Sequence, residues 1–286
     1  MQEWVSFDVL RREIVVELEY KNLSPLRIGS GSSKIPTSPV DLQVITILKN
    51  GMRVPYIPGS SLKGVLRTVC ENIVASLKLF PKEYKCFMGE GCKKRYDNVL
   101  KQYLRENMLE EAKKLLQKYC LVCKVFGTTS YKAHLYVSDA YPIGDVSRGV
   151  KVGIAIDRRS GTARRGALYT IEYIEPGFVF QSGLIFKNLP NYLIGLVISA
   201  LDMINSGFVA IGGFKTRGFG KVEVTFKNIR GITLQDNEYV DIGEAKELPP
   251  LDEDDSLVKT ESVKSFVNGC REAWRRYVEK KRRGQG

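Results

Sequence analysis

The sequence predicts an α+β fold, a β-sheet with helices packed on one face, and three observations carry that expectation. Residues 13–20, EIVVELEY, alternate apolar and charged positions as a half-buried strand does. Two segments, SLKGVLRTVCENIVASLKLF and NYLIGLVISALDMINSG, read as helices; the first carries Leu62, Leu66, Val69 and Ile73 at helical spacing, and the second is largely apolar. Strand-like runs separate and follow them, giving the order strand, loop, helix, insertion, several strands, helix, strand.

Taken in turn, the first strand enters NLSPLRIGSGSSKIPTSPVD, whose glycine, serine and proline content allows only a loop. VDLQVITIL then reads as a strand and KNGM as a turn before the first helix. Residues 81–123 are rich in lysine, glutamate and cysteine and read as an insertion, with NVLKQYLRENMLEEAKKLLQKY as one surface helix. AHLYVSDAYP is a strand, and GVKVGIAIDRRSGTARRGALYTIEYIEPGFVFQSGLIFKN reads as strands around a basic hairpin. After the second helix, FVAIGGFKTRGFGKVEVTF predicts a strand, a glycine-rich loop and another strand. Residues 1–230 thus form the expected core, and 231–286 an acidic connector followed by a basic helix. The connector, 234–255, has little pattern and is expected to be exposed. The terminal helix, from Ser256 to Arg283, carries Arg271, Arg275, Arg276 and Lys280 to Arg283 and is either a solvated end or a contact for RNA or a partner.

The 286 residues are 43% hydrophobic, enough for a substantial core, and carry a net charge of +12, which points to a polyanionic partner. Composition does not choose between nucleic acid and an anionic membrane. No apolar run is long enough to cross a bilayer, and MQEWVSFDVLRREIVV lacks the layout of a signal peptide, so a soluble, cytoplasmic protein is expected. His134 is the single histidine, which removes a two-histidine acid–base ribonuclease mechanism within one chain; on an alternating strand it reads as a packed residue. Cys120-x-x-Cys123 reads as a zinc half-site that Cys86 and Cys92 can complete, so structural zinc is expected, the alternative being reduced, unrelated thiols; Cys70 and Cys270 read as buried small residues.

Three loops place glycine and serine beside lysine and arginine. In PYIPGSSLKGVLR, Ser60 or Ser61 either caps the helix or, with Lys63 and Arg67, helps to form an anion site at its N-terminus. IGGFKTRGFGKV is not a nucleotide-binding P-loop, because Gly220-Lys221 is followed by Val222. Arg217, Gly218, Phe219 and Gly220 match half of the RNA-recognition signature, but Lys221 stands at the second aromatic position, so base stacking is not supported. What remains is a glycine loop flanked by Lys215 and Arg217 that suits a phosphate chain. DRRSGTARR adds Arg158, Arg159, Arg164 and Arg165 around Ser160-Gly161, either as a solvated hairpin tip or as further phosphate contacts.

Together, PYIPGSSLKGVLR, the pair CLVCKVFG and LYVSDAYP, IDRRSGTARRGALYTIEYI and IGGFKTRGFGKV resemble the RAMP superfamily of CRISPR proteins over residues 10–228. Their order is most similar to that of the repeated backbone subunit of type III (Csm/Cmr-like) effector complexes. The resemblance implies a ferredoxin-like, RNA-recognition-like sheet with insertions, and a β-hairpin thumb within 151–180 that displaces a nucleotide at intervals. It implies that Ser60, Ser61, Lys63, Arg67, Lys215, Arg217, Gly218 and Phe219 hold guide RNA, with Arg158, Arg159, Arg164 and Arg165 near RNA. The implied partners are guide CRISPR RNA, target RNA, further copies of the chain, other RAMP subunits, and the large polymerase-like and small helical subunits of the effector, with no membrane. Asp41, in VDLQVI, matches the family's target-cleaving aspartate, although Gln43 replaces a common proline; cleavage there needs a divalent cation such as magnesium. Alternatives are a structural subunit without chemistry, with Asp41 as a turn residue, a RAMP nuclease that processes precursor guide RNA, and a membrane-surface protein.

Overall fold

The computed structural model describes residues 3–29, 40–80, 86–87 and 89–283, with the backbone alone at 164–167. The part of the early loop at 30–39 lies outside the described residues. Strand β1 (Arg12–Asn22) buries every second side chain, so Ile14, Val16, Leu18 and Tyr20 enter the core while Glu13, Glu17 and Glu19 take the other face. Hairpin β2 (Thr46–Lys49) and β3 (Met52–Pro55) turns at Asn50 and Gly51, at φ 51° and 78°, the two-residue geometry that Asn-Gly favours. Helix α1 (Gly59–Ser76) follows. The insertion contains α2 (Glu90–Cys92), α3 (Asn98–Arg105), α4 (Leu109–Leu116) and α5 (Leu121–Phe126). Next come β4 (Leu135–Val137), β5 (Tyr141–Pro142), a long hairpin of β6 (Arg148–Ile156) and β7 (Ala163–Ile174), then β8 (Val179–Lys187) and α6 (Asn191–Asn205). The chain closes with β9 (Val222–Gln235), β10 (Glu238–Asp241), α7 (Ile242–Ala245), β11 (Glu247–Leu248), β12 (Val258–Lys259) and α8 (Val263–Arg283).

The main sheet runs β10-β9-β1-β8-β4, with β5 also on β8, and each pairing is antiparallel. Strands β1, β4, β8 and β9, with α1 after the first and α6 after the third, form a βαββαβ unit with a ferredoxin-like strand order, as expected. Helix α1 buries Leu62, Leu66, Val69, Cys70 and Val74, so its seam runs through Val74 while Ile73 stays half-exposed. Fully burying each aliphatic side chain contributes about 1.5–3 kcal/mol. Helix α8 crosses α6 at Gly195, where a Cβ would lie 2.0 Å from the Cys270 carbonyl oxygen. That crossing tolerates no side chain.

Several elements differ from the sequence expectation. Only the end of VDLQVITIL is a strand; residues 41–44 instead run beside β7, with Leu42 N–H bonded to Thr170 O and Glu172 N–H to Leu42 O. The surface helix of the insertion is two, α3 and α4, broken where Asn107 adopts a φ of 57°. FVAI is not a strand, because Gly207 turns the chain and Ile211 donates to Gly220 within the same loop. The acidic segment is structured: Ile242 and Leu248 are buried, and Asp255 Oδ2 and Oδ1 accept the N–H groups of Asn191 and Tyr192 at the start of α6. The last helix begins at Val263 instead of Ser256, with Ser262 Oγ accepting from Ser265 N–H at 3.1 Å. Its basic residues are partly engaged, Arg271 with Asp202 and Lys280 and Lys281 with Asp254.

His134 is buried as expected, stacked on Phe7 with ring centroids 4.3 Å apart and bonded at Nδ1 to the Lys187 carbonyl. Burial lowers its pKa to about 4, against an ordinary value of 6.5. The unfolded chain therefore binds a proton between these values that the folded chain refuses. The contribution is complete above pH 6.5 and is lost as pH falls toward 4, at most about 3 kcal/mol. Denaturant titrations at pH 7.5 and 4.5 should show a steeper loss of stability for the native protein than for His134→Gln; equal losses would remove the assignment.

Candidate functional site

Helix α1 starts at Pro58, which offers no side-chain acceptor, and neither of the following serines provides the cap. The Gly59 N–H donates to Asp139 Oδ1 at 2.7 Å, and the Ser61 and Leu62 N–H groups return to the Pro58 carbonyl. Glycine is required at 59 because a Cβ there would lie 2.2 Å from the Val137 carbonyl oxygen of β4. A protein carboxylate thus sits on the first N–H of α1, which corrects the reading of Ser60 or Ser61 as the cap. The serines are left to line a surface.

That surface is a cleft of about 470 Å³ between α1 and the glycine-rich loop. Ser60, Ser61, Gly64, Thr68 and Asn72 form its α1 wall, and Ile211, Gly212, Gly213 and Lys215 face them. Two of the three glycine–cation loops therefore converge. Lys63 and Arg67 do not line the cleft. Lys63 is half-buried, and burial together with the charge of Arg67 lowers its pKa. Arg67 is directed into the protein, with Nε on Glu71 Oε1 at 3.1 Å, Nη1 on the Gly127 carbonyl at 3.2 Å and Nη2 3.7 Å from Cys123 Sγ.

Two of the loop's four glycines serve its own folding. A Cβ at Gly212 would lie 2.4 Å from the Arg27 carbonyl oxygen and one at Gly220 1.9 Å from that of Ile211, while Gly218, at φ 86°, opens to solvent. Lys215, Arg217 and Gly218 are exposed. Phe219 is not: only 4% accessible, it meets Tyr173 of β7 edge-on at 5.7 Å. Its ring anchors the hairpin and offers RNA no stacking surface.

The β6–β7 hairpin has two unlike faces. Toward the glycine loop it presents Tyr169, whose hydroxyl accepts from Arg217 Nη1 at 2.6 Å, and Tyr173; these rings lie over Gly153 and Gly149 on the opposite strand. The other face carries exposed Val150, Val152, Ile154, Ile156 and Leu168. Arg158 and Arg159 are exposed at the tip, which Asp157 closes by accepting from the N–H groups of Arg159 and Ser160. They do not line the cleft. The side chains of Arg164 and Arg165 lie outside the described residues. Asp41 is exposed beside the base of this hairpin, with Oδ2 accepting from Thr170 N–H at 2.9 Å and Thr170 Oγ1 at 3.1 Å.

The sheet face away from the helices is not a stacking platform. Glu13, Glu17 and Glu19 pair there with Lys187, Arg230 and Lys227 at 2.8, 3.5 and 3.2 Å. Sequence reasoning missed Asp139, Thr170, Tyr169 and Phe208, the last 80% exposed at the start of the loop that enters the cleft. Phe208 is flagged in sequence only by being aromatic after Ser206-Gly207. The other three carry no local signal.

The four cysteines named from spacing come together. Cys86, Cys92, Cys120 and Cys123 are all buried, with their sulfurs within 4.8 Å of one another and Cys86 Sγ 3.5 Å from Cys123 Sγ. A tetrahedral metal with sulfur ligands at about 2.3 Å needs sulfur–sulfur separations near 3.8 Å, so the set fits a metal ion. Backbone N–H groups of Cys92 and Cys120 point at the sulfurs of Cys86 and Cys92, both at 3.3 Å, as expected around thiolates. Hydrogen bonding from Cys120 holds Cys92 well below the ordinary thiol range.

Fold and site define a ferredoxin-like α+β protein with a polar cleft beside its first helix, a long hairpin and a cysteine centre in an insertion. The model of the RAMP superfamily matches residues 19–223, and the chain belongs to that superfamily, the RNA-binding proteins of CRISPR systems. Comparison with curated proteins gives no match. No helix among the described residues is long and apolar enough to cross a membrane.

Asp139→Ala should lower stability by about 1 kcal/mol in thermal or denaturant melts, because it strips the cap from α1. Ser60→Ala and Ser61→Ala should each change it by less than about 0.5 kcal/mol, as expected for surface positions without a capping role. The reverse ranking would restore the serines as caps.

Proposed function

We propose that this chain is a guide-RNA-binding backbone subunit of a type III CRISPR effector complex that cleaves guide-paired target RNA through Asp41. The observation that carries the reading is the convergence of α1 and the glycine loop on one cleft, with the hairpin joined to that loop through Tyr169 and Tyr173 and to Asp41 through Thr170. Hydroxyls of Ser60 and Ser61 and the ammonium of Lys215 suit a ribose-phosphate strand held without readout of its bases. Arg217 and the tip residues Arg158 and Arg159 extend the positive surface along the hairpin. Specificity then comes from pairing between guide and target.

Thr170 fixes one oxygen of the Asp41 carboxylate through two hydrogen bonds, which orients the group at the hairpin base. An oriented carboxylate there takes up a proton from the attacking 2′-hydroxyl of the target or positions a cation. A divalent ion such as magnesium, when bound, neutralises charge on the scissile phosphate. One carboxylate does not make a tight magnesium site, so RNA phosphates and a neighbouring subunit complete it. The cysteine centre is read as structural zinc, which closes the insertion onto the core. The partners are guide and target RNA, further copies of the chain and the other effector subunits, in the cytoplasm.

Asp41→Asn keeps acceptors for Thr170 and should leave guide binding within about twofold while abolishing target cleavage next to this subunit; unchanged cleavage would make the chain a structural subunit. Guide affinity should fall at least about tenfold between roughly 50 and 200 mM salt, and a flat dependence would contradict phosphate contacts. Elemental analysis should find one zinc per chain.

A further inference from the structure

Arg67 is the residue that the sequence places with the phosphate-binding cations and the structure places elsewhere. Its guanidinium enters the insertion between Gly89 and Gly127. Nη2 lies 3.7 Å from Cys123 Sγ and Nη1 lies 3.2 Å from the Gly127 carbonyl, while Glu71, one turn further along α1 and only 2% accessible, holds Nε at 3.1 Å. Gly89 accommodates this approach, since a Cβ there would lie 2.5 Å from Nη2.

Four thiolates around a divalent ion carry two net negative charges in a buried site. Charge of that kind needs donors or cations close by. The N–H groups of Cys92, Cys120 and Cys123 supply neutral donors to the sulfurs of Cys86, Cys92 and Cys120, but no backbone N–H is bonded to Cys123 Sγ among the described residues. Arg67 supplies the donor to that sulfur. Lys124, next in sequence to Cys123 and 4% accessible, is a second cation in this region.

We propose that Arg67 is a positioning residue of the four-cysteine metal centre, donating a charged N–H···S bond to Cys123 and fastening the metal-bearing insertion to α1. This inference rests on the reading of the cysteine set as a metal site. Glu71 orients the guanidinium, so that the planar fork spans carboxylate, carbonyl and sulfur at once, a task that lysine's single ammonium cannot repeat. The same α1 presents Ser60, Ser61 and Thr68 to the cleft, so the centre braces the helix that carries the proposed RNA contacts.

The test uses the full chain loaded with zinc or with cobalt(II). Arg67→Met should retain one metal per chain but hold zinc about 10- to 100-fold more weakly, the range found when outer-shell partners are lost, and so release it faster to a chromogenic chelator. Its cobalt form should show the sulfur-to-metal charge-transfer band moved to longer wavelength, because an unbonded thiolate gives up electron density more readily. Arg67→Lys should fall between the two in release rate. If Arg67→Met does not fold, Arg67→Lys carries the test with several-fold faster release than native protein. Native release rate and an unmoved band in a folded variant would overturn the role of Arg67 while leaving the metal centre standing. Native protein without bound metal would overturn both.

Discussion

Both helices of the βαββαβ unit begin on a proline, and neither can cap itself. Pro58 and Pro190 set the backbone entering α1 and α6 but carry no acceptor, so the first N–H groups depend on carboxylates from elsewhere. Asp139, just past β4, serves Gly59; Asp255, in the acidic loop before β12, serves Asn191 and Tyr192. Each bond ties a helix start to a segment 63 to 80 residues away in sequence. The position of α1 is further dictated by Gly59, which lets the helix approach the Val137 carbonyl more closely than any side chain would allow. The cleft, the serines on its wall and the seating of the insertion all follow from where α1 is held.

The same economy governs the glycine loop. Gly212 and Gly220 are required by close passage of the backbone past Arg27 and Ile211, and the buried Phe219 holds the hairpin through Tyr173. Lys215, Thr216, Arg217 and Gly218 remain outward. A loop constrained this tightly presents few cations in fixed positions, which suits a backbone grip better than a flexible basic tail does. The hairpin is correspondingly rigid at its base, where Tyr169 bonds Arg217 and Thr170 bonds Asp41, and exposed beyond it.

The acidic segment and the terminal helix show how charge is used inside this basic protein. Asp252 accepts from Trp4 Nε1 and the Tyr192 hydroxyl, Asp254 pairs with Lys280 and Lys281, and Asp255 caps α6. Much of the positive charge of the last helix is therefore matched within the chain. Arg282 and Arg283, both exposed, extend beyond that matching.

The alternation of EIVVELEY, the apolar stripe of the first helix and the order of elements were enough to predict a sheet with helices on one face, because strand and helix periods are local properties. The cysteine spacing likewise named all four members of the buried cluster, since a metal knuckle needs paired ligands at short separations. Side-chain direction was another matter. Lys63 and Arg67 sit one helical turn apart, close in sequence to the cleft-lining serines, yet both are turned from the cleft, and Phe219 is buried within a loop of exposed cations. Those outcomes, like the capping of α1 by Asp139 and the bond between Asp41 and Thr170, depend on segments about 60 to 130 residues away. Local pattern specifies which residues can be buried or can bind; only the packed chain decides which neighbour each polar group meets first.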